Sequence, residues 1–226
     1  MIIGDGLLAR AFKNTNTSYD DCVIFASGVS NSNETNGKSF EREKELILTT
    51  IKEYGDLKFI YFSSVLAGLV NKDYYNHKVD VEKLIRFKSN NYIIFNLPQI
   101  IGFGGNGNTL VNSIKESIIN DKEILIFDNV KRVLLDVSDL VRIVDYFKDT
   151  VNCRAITISN IERLSVLEIT NLIGNQLSKK PIITMLDGGE INDWITENNL
   201  VVDKCLKDLN ITPKGYTDRV IKKYIL

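Results

Sequence analysis

An α/β fold is predicted, a parallel sheet doubly wound by helices and carrying a smaller mixed α/β lobe, and three observations predict it. Short apolar runs alternate with stretches of helical periodicity, the first run passes straight into a glycine turn that opens a helix, and the alternation loosens after Gly102. Strands separated by helices lie parallel, with both faces of their sheet covered.

Each element follows from its residues. The runs at 1–3, 22–26, 58–62 and 92–97 are rich in Ile, Val, Phe and Tyr, as strands buried on both faces require. Residues 39–54 set Phe40, Leu46, Ile47, Thr50 and Ile51 on one helical face, and residues 79–87 do the same with Val81, Leu84 and Ile85. Beyond Gly102, helices are predicted over 109–119, 138–147 and 164–177, strands over 123–127, 132–135 and 181–185, and a last helix ending at Tyr224. No linker rich in Gly, Pro or Ser divides the chain and no internal repeat is present. The core is accordingly placed at 1–102 and rejoined by 130–160, with 103–129 and 161–226 as the smaller, substrate-binding lobe.

Composition removes several classes of function. The 28 basic and 29 acidic residues are interspersed, so no basic stripe exists for a phosphate backbone, and nucleic acid is excluded as a partner. No apolar run approaches the roughly 18 residues of a membrane span, and Met1-Ile2-Ile3-Gly4 does not open a signal peptide, so a cytoplasmic protein without membrane contact is expected. Cys22, Cys153 and Cys205 lack the spacing of a disulfide framework or a zinc site; reduced thiols and no bound metal are expected.

The first strand runs into Gly4-Asp5-Gly6-Leu7-Leu8-Ala9, a G-x-G-x-x-A turn. In a dinucleotide-binding, Rossmann-type sheet, Gly4 permits the tight turn, Gly6 lets the backbone approach a pyrophosphate and Ala9 lets helix and strand pack closely. A purely structural strand-to-helix turn is the plain alternative. Such sites carry an acidic residue on the adenine ribose about twenty residues later, at the end of a second strand. Here the polar run Asn14-Thr15-Asn16-Thr17-Ser18 stands instead, so two strands and a helix are missing or reduced to loop. With Arg10 and Lys13 nearby and no carboxylate so placed, NADP(H) is favoured over NAD(H).

The strand at 58–62 ends in Ser63-Ser64, and Tyr74-Tyr75-Asn76-His77-Lys78 opens the next helix. The four-residue spacing puts Tyr74 and Lys78 on one face. A phenol of reference pKa about 10 is a poor acid-base catalyst at neutral pH, and a neighbouring cation lowers that value. Lys78 supplies the cation. A serine hydroxyl can hold a carbonyl or alcohol while the phenol gives or takes its proton, as hydride exchange with a nicotinamide requires. Tyr75 has Val79 four residues on and cannot substitute. A solvated surface pair is the plain alternative for Tyr74 and Lys78. His77, the only histidine, has no partner for a metal or a nucleophile relay and is expected to be exposed.

In these features the chain resembles the extended short-chain dehydrogenase/reductase family, in its NAD-dependent epimerase/dehydratase branch acting on nucleotide-activated sugars. Phe25-Ala26-Ser27-Gly28 is similar to the strand end under the cofactor, Ile60-Tyr61-Phe62-Ser63-Ser64 to the strand carrying the catalytic Ser or Thr, and Tyr74 with Lys78 to the Y-x-x-x-K pair. Asn96-Leu97-Pro98-Gln99-Ile100-Ile101-Gly102 resembles the R-P-x-x-x-x-G segment beside the nicotinamide, with Asn96 where arginine is usual. Arg132-Val133-Leu134-Leu135-Asp136-Val137-Ser138-Asp139 resembles R-D-F-x-x-V-x-D, and residues 164–169 the helix opening of the substrate lobe. The resemblance implies catalysis by Tyr74, Lys78, Ser64 and Ser63. It implies a cofactor held by Gly4, Gly6, Leu7, Leu8, Arg10, Ala26, Ser27, Gly28, Phe62, Lys78, Leu97, Pro98 and Ile100. It also implies a nucleotide-activated sugar between the lobes, met by Ser64, Tyr74, Asn96, Thr109, Asn112 and Arg132. Arg132 as an edge-strand surface charge and Asn112 as a helix surface residue are the plain alternatives, and 103–108 reads as a substrate loop or a connection. Pairing of two copies through the helices at 39–54 and 79–87, a homodimer, is what the resemblance allows.

Departures from the family pattern select among its reactions. The 4,6-dehydratases carry Asp-Glu directly after the catalytic hydroxyl residue, whereas Val65-Leu66 follow Ser64. Epimerisation beside a ketone needs a second acid-base pair, commonly Cys and His, and none is placed for it. Carbonyl reduction needs only Ser, Tyr and Lys with a dissociable cofactor, and a trimmed adenosine site suits an exchanging one. The expected activity is NADPH-dependent reduction of a keto-sugar nucleotide in capsule or other surface-glycan precursor synthesis. A 4-epimerase with tightly held NAD and a catalytically silent NAD(P)-binding or regulatory member of the fold are the alternatives.

Overall fold

The computed structural model describes residues 1–105, 107, 109–188 and 199–225. Along the chain the elements are β1 (Ile2–Ile3), α1 (Leu7–Lys13), β2 (Cys22–Phe25), α2 (Gly37–Glu53), β3 (Lys58–Ser64), α3 (Asp73–Lys88), β4 (Tyr92–Leu97), β5 (Gln99–Ile101) and α4 (Leu110–Ile119). There follow β6 (Glu123–Phe127), β7 (Lys131–Asp136), α5 (Val137–Lys148), β8 (Arg154–Thr157), β9 (Arg163–Ser165), α6 (Val166–Gln176), β10 (Ile182–Leu186), α7 (Leu200–Asp208) and α8 (Tyr216–Tyr224). They form two compact units, Met1–Leu97 with Leu140–Ile158, and Pro98–Asp139 with Ser159–Leu226. The chain therefore leaves the first unit after Leu97, where the sequence suggested 102, and re-enters it inside α5.

The first unit is a five-stranded parallel sheet in the order β1-β2-β3-β4-β8. Its register sets Ile60 between Ile24 and Ile93, all fully buried, which is why these strands show no polar alternation. Under α2 and α3, Phe25, Phe59, Tyr61 and Ile94 pack with Ile47, Val81 and Ile85. The opposite face is an aromatic row: Phe12 of α1 stacks on Phe62 at 5.6 Å, Phe62 on Phe95 at 6.2 Å, and Phe95 lies 6.3 Å from Phe147 of α5.

The parallel sheet agrees with the predicted α/β class, and the truncation is plain. In the doubly wound order 3-2-1-4-5-6, two further strands lie beyond the first. Here residues 14–21 connect α1 directly to β2, and among the described residues β1 pairs with β2 alone. The hydroxyls of Thr17 and Tyr19 both donate to Asp145 of α5 at 2.9 Å, and the Tyr19 ring meets Phe12 edge-on at 5.5 Å.

The second unit holds a three-stranded sheet in which β7 runs parallel to β5 and antiparallel to β9, and a parallel pair of β6 and β10. Asp136 at the end of β7 ties down α8: its carboxylate accepts from Tyr224 at 2.6 Å, from Lys223 at 2.7 Å and from the Ser138 amide at 2.8 Å. Ser165 and Glu168 close a capping box at the start of α6, so the predicted helix at 164–177 begins after a short strand. Among the described residues no helix is long and apolar enough to cross a membrane.

Candidate active site

In open parallel sheets ligands bind outside the carboxyl ends of the strands. At those ends of the first unit lie the glycine turn after β1, Ala26-Ser27-Gly28 after β2, Ser63-Ser64 closing β3 and Asn96-Leu97 closing β4. Gly4 has φ +118°, and a Cβ there would fall 2.3 Å from the Ala26 carbonyl oxygen, so only glycine fits. Gly6 caps α1 without a side-chain cap and has nothing within 4 Å of where a Cβ would be, so the turn is open on that side. Fully buried Ala9 lets α1 settle on the sheet, with Leu7 and Leu8 half-buried beside it. Lys13 donates to the Gly4 carbonyl at 2.7 Å and pairs with Asp5 at 3.0 Å, while Arg10 donates to the Asp5 carbonyl at 2.9 Å. The two cations expected to favour a 2′-phosphate are thus turned onto the loop itself. Gly4→Ala is expected to destabilise the protein by at least about 2 kcal/mol through strain and overlap with backbone, measured by urea denaturation.

The two serines diverge, as neighbours on a strand must. Ser63 is buried and donates to Glu82 of α3 at 2.6 Å; Ser64 is half-buried, and its oxygen accepts from the Leu66 amide at 3.2 Å. Ser64 therefore keeps its proton for a ligand, and Ser63 does not. Phe62, expected at the cofactor, has its ring in the aromatic row of the core.

Lys78 and Tyr74 share a helix face, with Nζ 5.6 Å from the centre of the Tyr74 ring. The ammonium is 3% exposed and is held elsewhere: it donates to Glu43 Oε1 at 3.1 Å and to the Tyr61 hydroxyl at 2.8 Å. Glu43, on α2 and 0% exposed, also accepts from Tyr61 at 2.7 Å, from the Val29 amide at 2.6 Å and from His77 Nε2 at 2.9 Å. Gly28 closes over the pair, since a Cβ there would lie 2.8 Å from Oε1 and 3.0 Å from Nζ.

Burial alone would raise the Glu43 pKa, but Lys78 and the three other donors outweigh it and hold the carboxyl well below the usual range. Burial pulls the Lys78 ammonium below its ordinary value, and Glu43 opposes that pull. The Tyr74 phenol is pushed up, first by burial and then by the Glu43 charge. The expected acidification of Tyr74 by Lys78 is thus reversed, first by burial of the phenol and then by the Glu43 carboxylate that also holds the cation.

His77 is likewise not exposed. It is 4% accessible, stacks on Phe40 at 4.5 Å and serves Glu43 through Nε2, leaving a buried Nδ1 without a hydrogen bond to any described residue. Glu43 escaped the sequence reading although it falls on the stripe 40, 43, 47, 50 of α2, where a charge at a core position was the available signal.

Asn96 donates to Thr157 of β8 at 3.3 Å, and its buried Oδ1 has no partner among the described residues. Leu97 and Pro98 are buried and Ile100 is half-buried, on β5 opposite Leu135. In the second unit Thr109 caps α4, Asn112 lies half-buried in its first turn, and Arg132 lies on β7 with Nη1 on the Lys131 carbonyl at 2.9 Å.

No protein-family model matches the sequence, and none of the curated proteins does. Solved structures do match, and what they share with this chain is a Rossmann-like fold. The dTDP-glucose 4,6-dehydratase of Bacillus anthracis str. Ames, in complex with NAD, matches with a TM-score of 0.70 and 13% identity over 91% of this chain and 71% of that one. The UDP-glucuronic acid 4-epimerase of Bacillus cereus, in complex with UDP-glucuronic acid and NAD, matches at 0.70 and 17%, over 98% and 77%. RMD from Pseudomonas aeruginosa, complexed with NADPH, matches at 0.66 and 15%, over 90% and 80%. At such identities the likeness is one of fold.

Proposed function

We propose that the chain is an NAD(P)-dependent oxidoreductase that reduces a keto group on a nucleotide-activated sugar, with Tyr74 as proton donor and Ser64 and Lys78 assisting. The observation that carries this reading is Tyr74 on the helix that follows Ser64, at the carboxyl ends of a parallel sheet beginning with a glycine turn. A neutral phenol gives a proton to a carbonyl oxygen as hydride arrives; taking one from an alcohol would first require its ionisation. Val65 and Leu66 directly after Ser64, where dehydration would need acids, favour reduction over dehydration.

A nicotinamide cofactor fits part of what is present. Open space beside Gly6, the glycine at 28 and the strand-end residues Ala26, Ser27, Leu97 and Pro98 are what its pyrophosphate and nicotinamide ends need. When bound, it supplies the hydride. Ser64 then orients the carbonyl, Tyr74 holds the proton to be given, and buried Lys78 and Glu43 keep the face beneath them dry. NADP(H) over NAD(H) is the finer reading, supported by the lack, among the described residues, of a carboxylate placed for the ribose diol beyond β1. A role in surface-glycan precursor synthesis in the cytoplasm, with Asn96, Thr109, Asn112 and Arg132 meeting the sugar nucleotide and two copies pairing as a homodimer, completes the proposal.

A panel of nucleotide-linked keto-sugars is expected to include one that oxidises NADPH. Sugar isomerisation without net oxidation, with NAD retained through purification, would point instead to a 4-epimerase. A silent, regulatory member of the fold is a second reading, favoured by the neutralisation of Lys78 by Glu43; absence of any thermal shift with millimolar NADPH or NADH would select it.

A further inference from the structure

The dinucleotide that this fold class binds and the sheet of this chain disagree at one end. We infer that the chain recognises the nicotinamide mononucleotide part of its cofactor and, among the described residues, has no site for the adenosine part, an inference that rests on the proposed use of a nicotinamide.

In doubly wound sheets the adenine ribose is met by a carboxylate at the carboxyl end of the strand that lies beyond the first. Here β1 is the last strand on that side among the described residues, and residues 14–21 pass from α1 to β2 without forming another. Nor do they bring a carboxylate to the glycine turn: the Tyr19 and Cys22 carbonyls accept from the Met1 amino group, at the start of β1 and not at its carboxyl end. Thr17 and Tyr19 fasten them to Asp145 of α5, and the Tyr19 ring, 5% exposed, is packed against Phe12, whose own ring lies in the aromatic row on the α5 side of the sheet.

Asp20 and Asp21 fall near the expected distance in sequence from Gly4, but they precede β2. Because β2 is parallel to β1, they lie at the opposite edge of the sheet from the glycine turn. Both are also engaged, Asp20 by the Ser18 hydroxyl at 2.6 Å and Asp21 by Lys148 at 3.3 Å. On the cationic side, Lys13 is paired with Asp5 and bonded to the Gly4 carbonyl, and Arg10 is bonded to the Asp5 carbonyl. Beyond β1 the described residues thus include no strand-end carboxylate to select a ribose diol, and the cations nearest the turn are already bonded within it. Adenosine, with or without its 2′-phosphate, would project beside the β1 edge with little to hold it.

The experiment compares dissociation constants of reduced nicotinamide mononucleotide, NADH and NADPH for the unmodified protein by calorimetric titration, which needs no turnover. The three are expected to agree within about tenfold, one decade in affinity, a range that includes the modest preference for NADP(H). Binding of either dinucleotide about a hundredfold more tightly than the mononucleotide, or a similar gap between NADH and NADPH, would overturn the inference while leaving the oxidoreductase reading intact. Failure of all three to bind would overturn that reading, and the inference with it.

Discussion

Glu43→Gln is expected to lower the unfolding free energy by about 3–5 kcal/mol, the usual consequence of removing one partner from a buried ion pair. Both members are almost inaccessible, so solvent screens little of this loss. The carboxylate receives donors from Tyr61, His77, Lys78 and the Val29 amide. A glutamine of the same shape offers one oxygen to the four and sets its amide group against donors, while the Lys78 ammonium stays buried without its counter-charge. The double variant Glu43→Gln/Lys78→Met should recover part of the loss, because no unpaired charge is then buried; urea denaturation of the three proteins checks this. The pH dependence has a definite sign. The Glu43 carboxyl is depressed in the folded protein, so its contribution is present above the ordinary glutamate pKa of about 4.3 and is lost as pH falls below it toward the folded value. Unfolding measured between neutrality and acid should therefore fall less steeply in Glu43→Gln than in the unmodified protein.

Tyr74→Phe is expected to reduce the rate of ketone reduction by about 10²–10⁴-fold, the range that a positioned proton donor contributes. The phenol makes no hydrogen bond to the described residues, so its removal leaves no partner unsatisfied and should change stability little. The edge-on contact with Tyr75, at 5.1 Å between ring centres, is retained by phenylalanine. Cofactor affinity should stay within about threefold, well inside one decade. Because the Tyr74 pKa is raised, reduction should stay level with pH through neutrality and oxidation of the corresponding alcohol should require alkaline conditions.

The sheet and its helices were legible because they depend on periodicity, which is local. The strand at Glu123–Phe127 and the end of α8 at Tyr224 fall where spacing puts them. The three-residue strands β5 and β9, and β8 at the edge of the sheet, are too short to show a period and exist only through their partners Leu134, Arg132 and Ile94. The short helix α7 was missed as well. At the candidate site, the order of glycine turn, double serine and Tyr74 with Lys78 was visible, as was the loss of strands after α1. The electrostatics was not. It depends on Glu43, which meets Lys78 from 35 residues away and on another element, so the charge beside the phenol cannot be read from a four-residue spacing. His77 was misplaced for the same reason: its partner is that carboxylate.

The most direct measurement of the central claim follows NADPH consumption and sugar product together, for the unmodified protein and for Tyr74→Phe, with a nucleotide-linked keto-sugar. One hydroxyl formed per NADPH oxidised, at a rate that collapses in Tyr74→Phe while NADPH still binds, is the predicted result. Equal rates in the two proteins, or a new sugar isomer formed with no NADPH consumed, would contradict it.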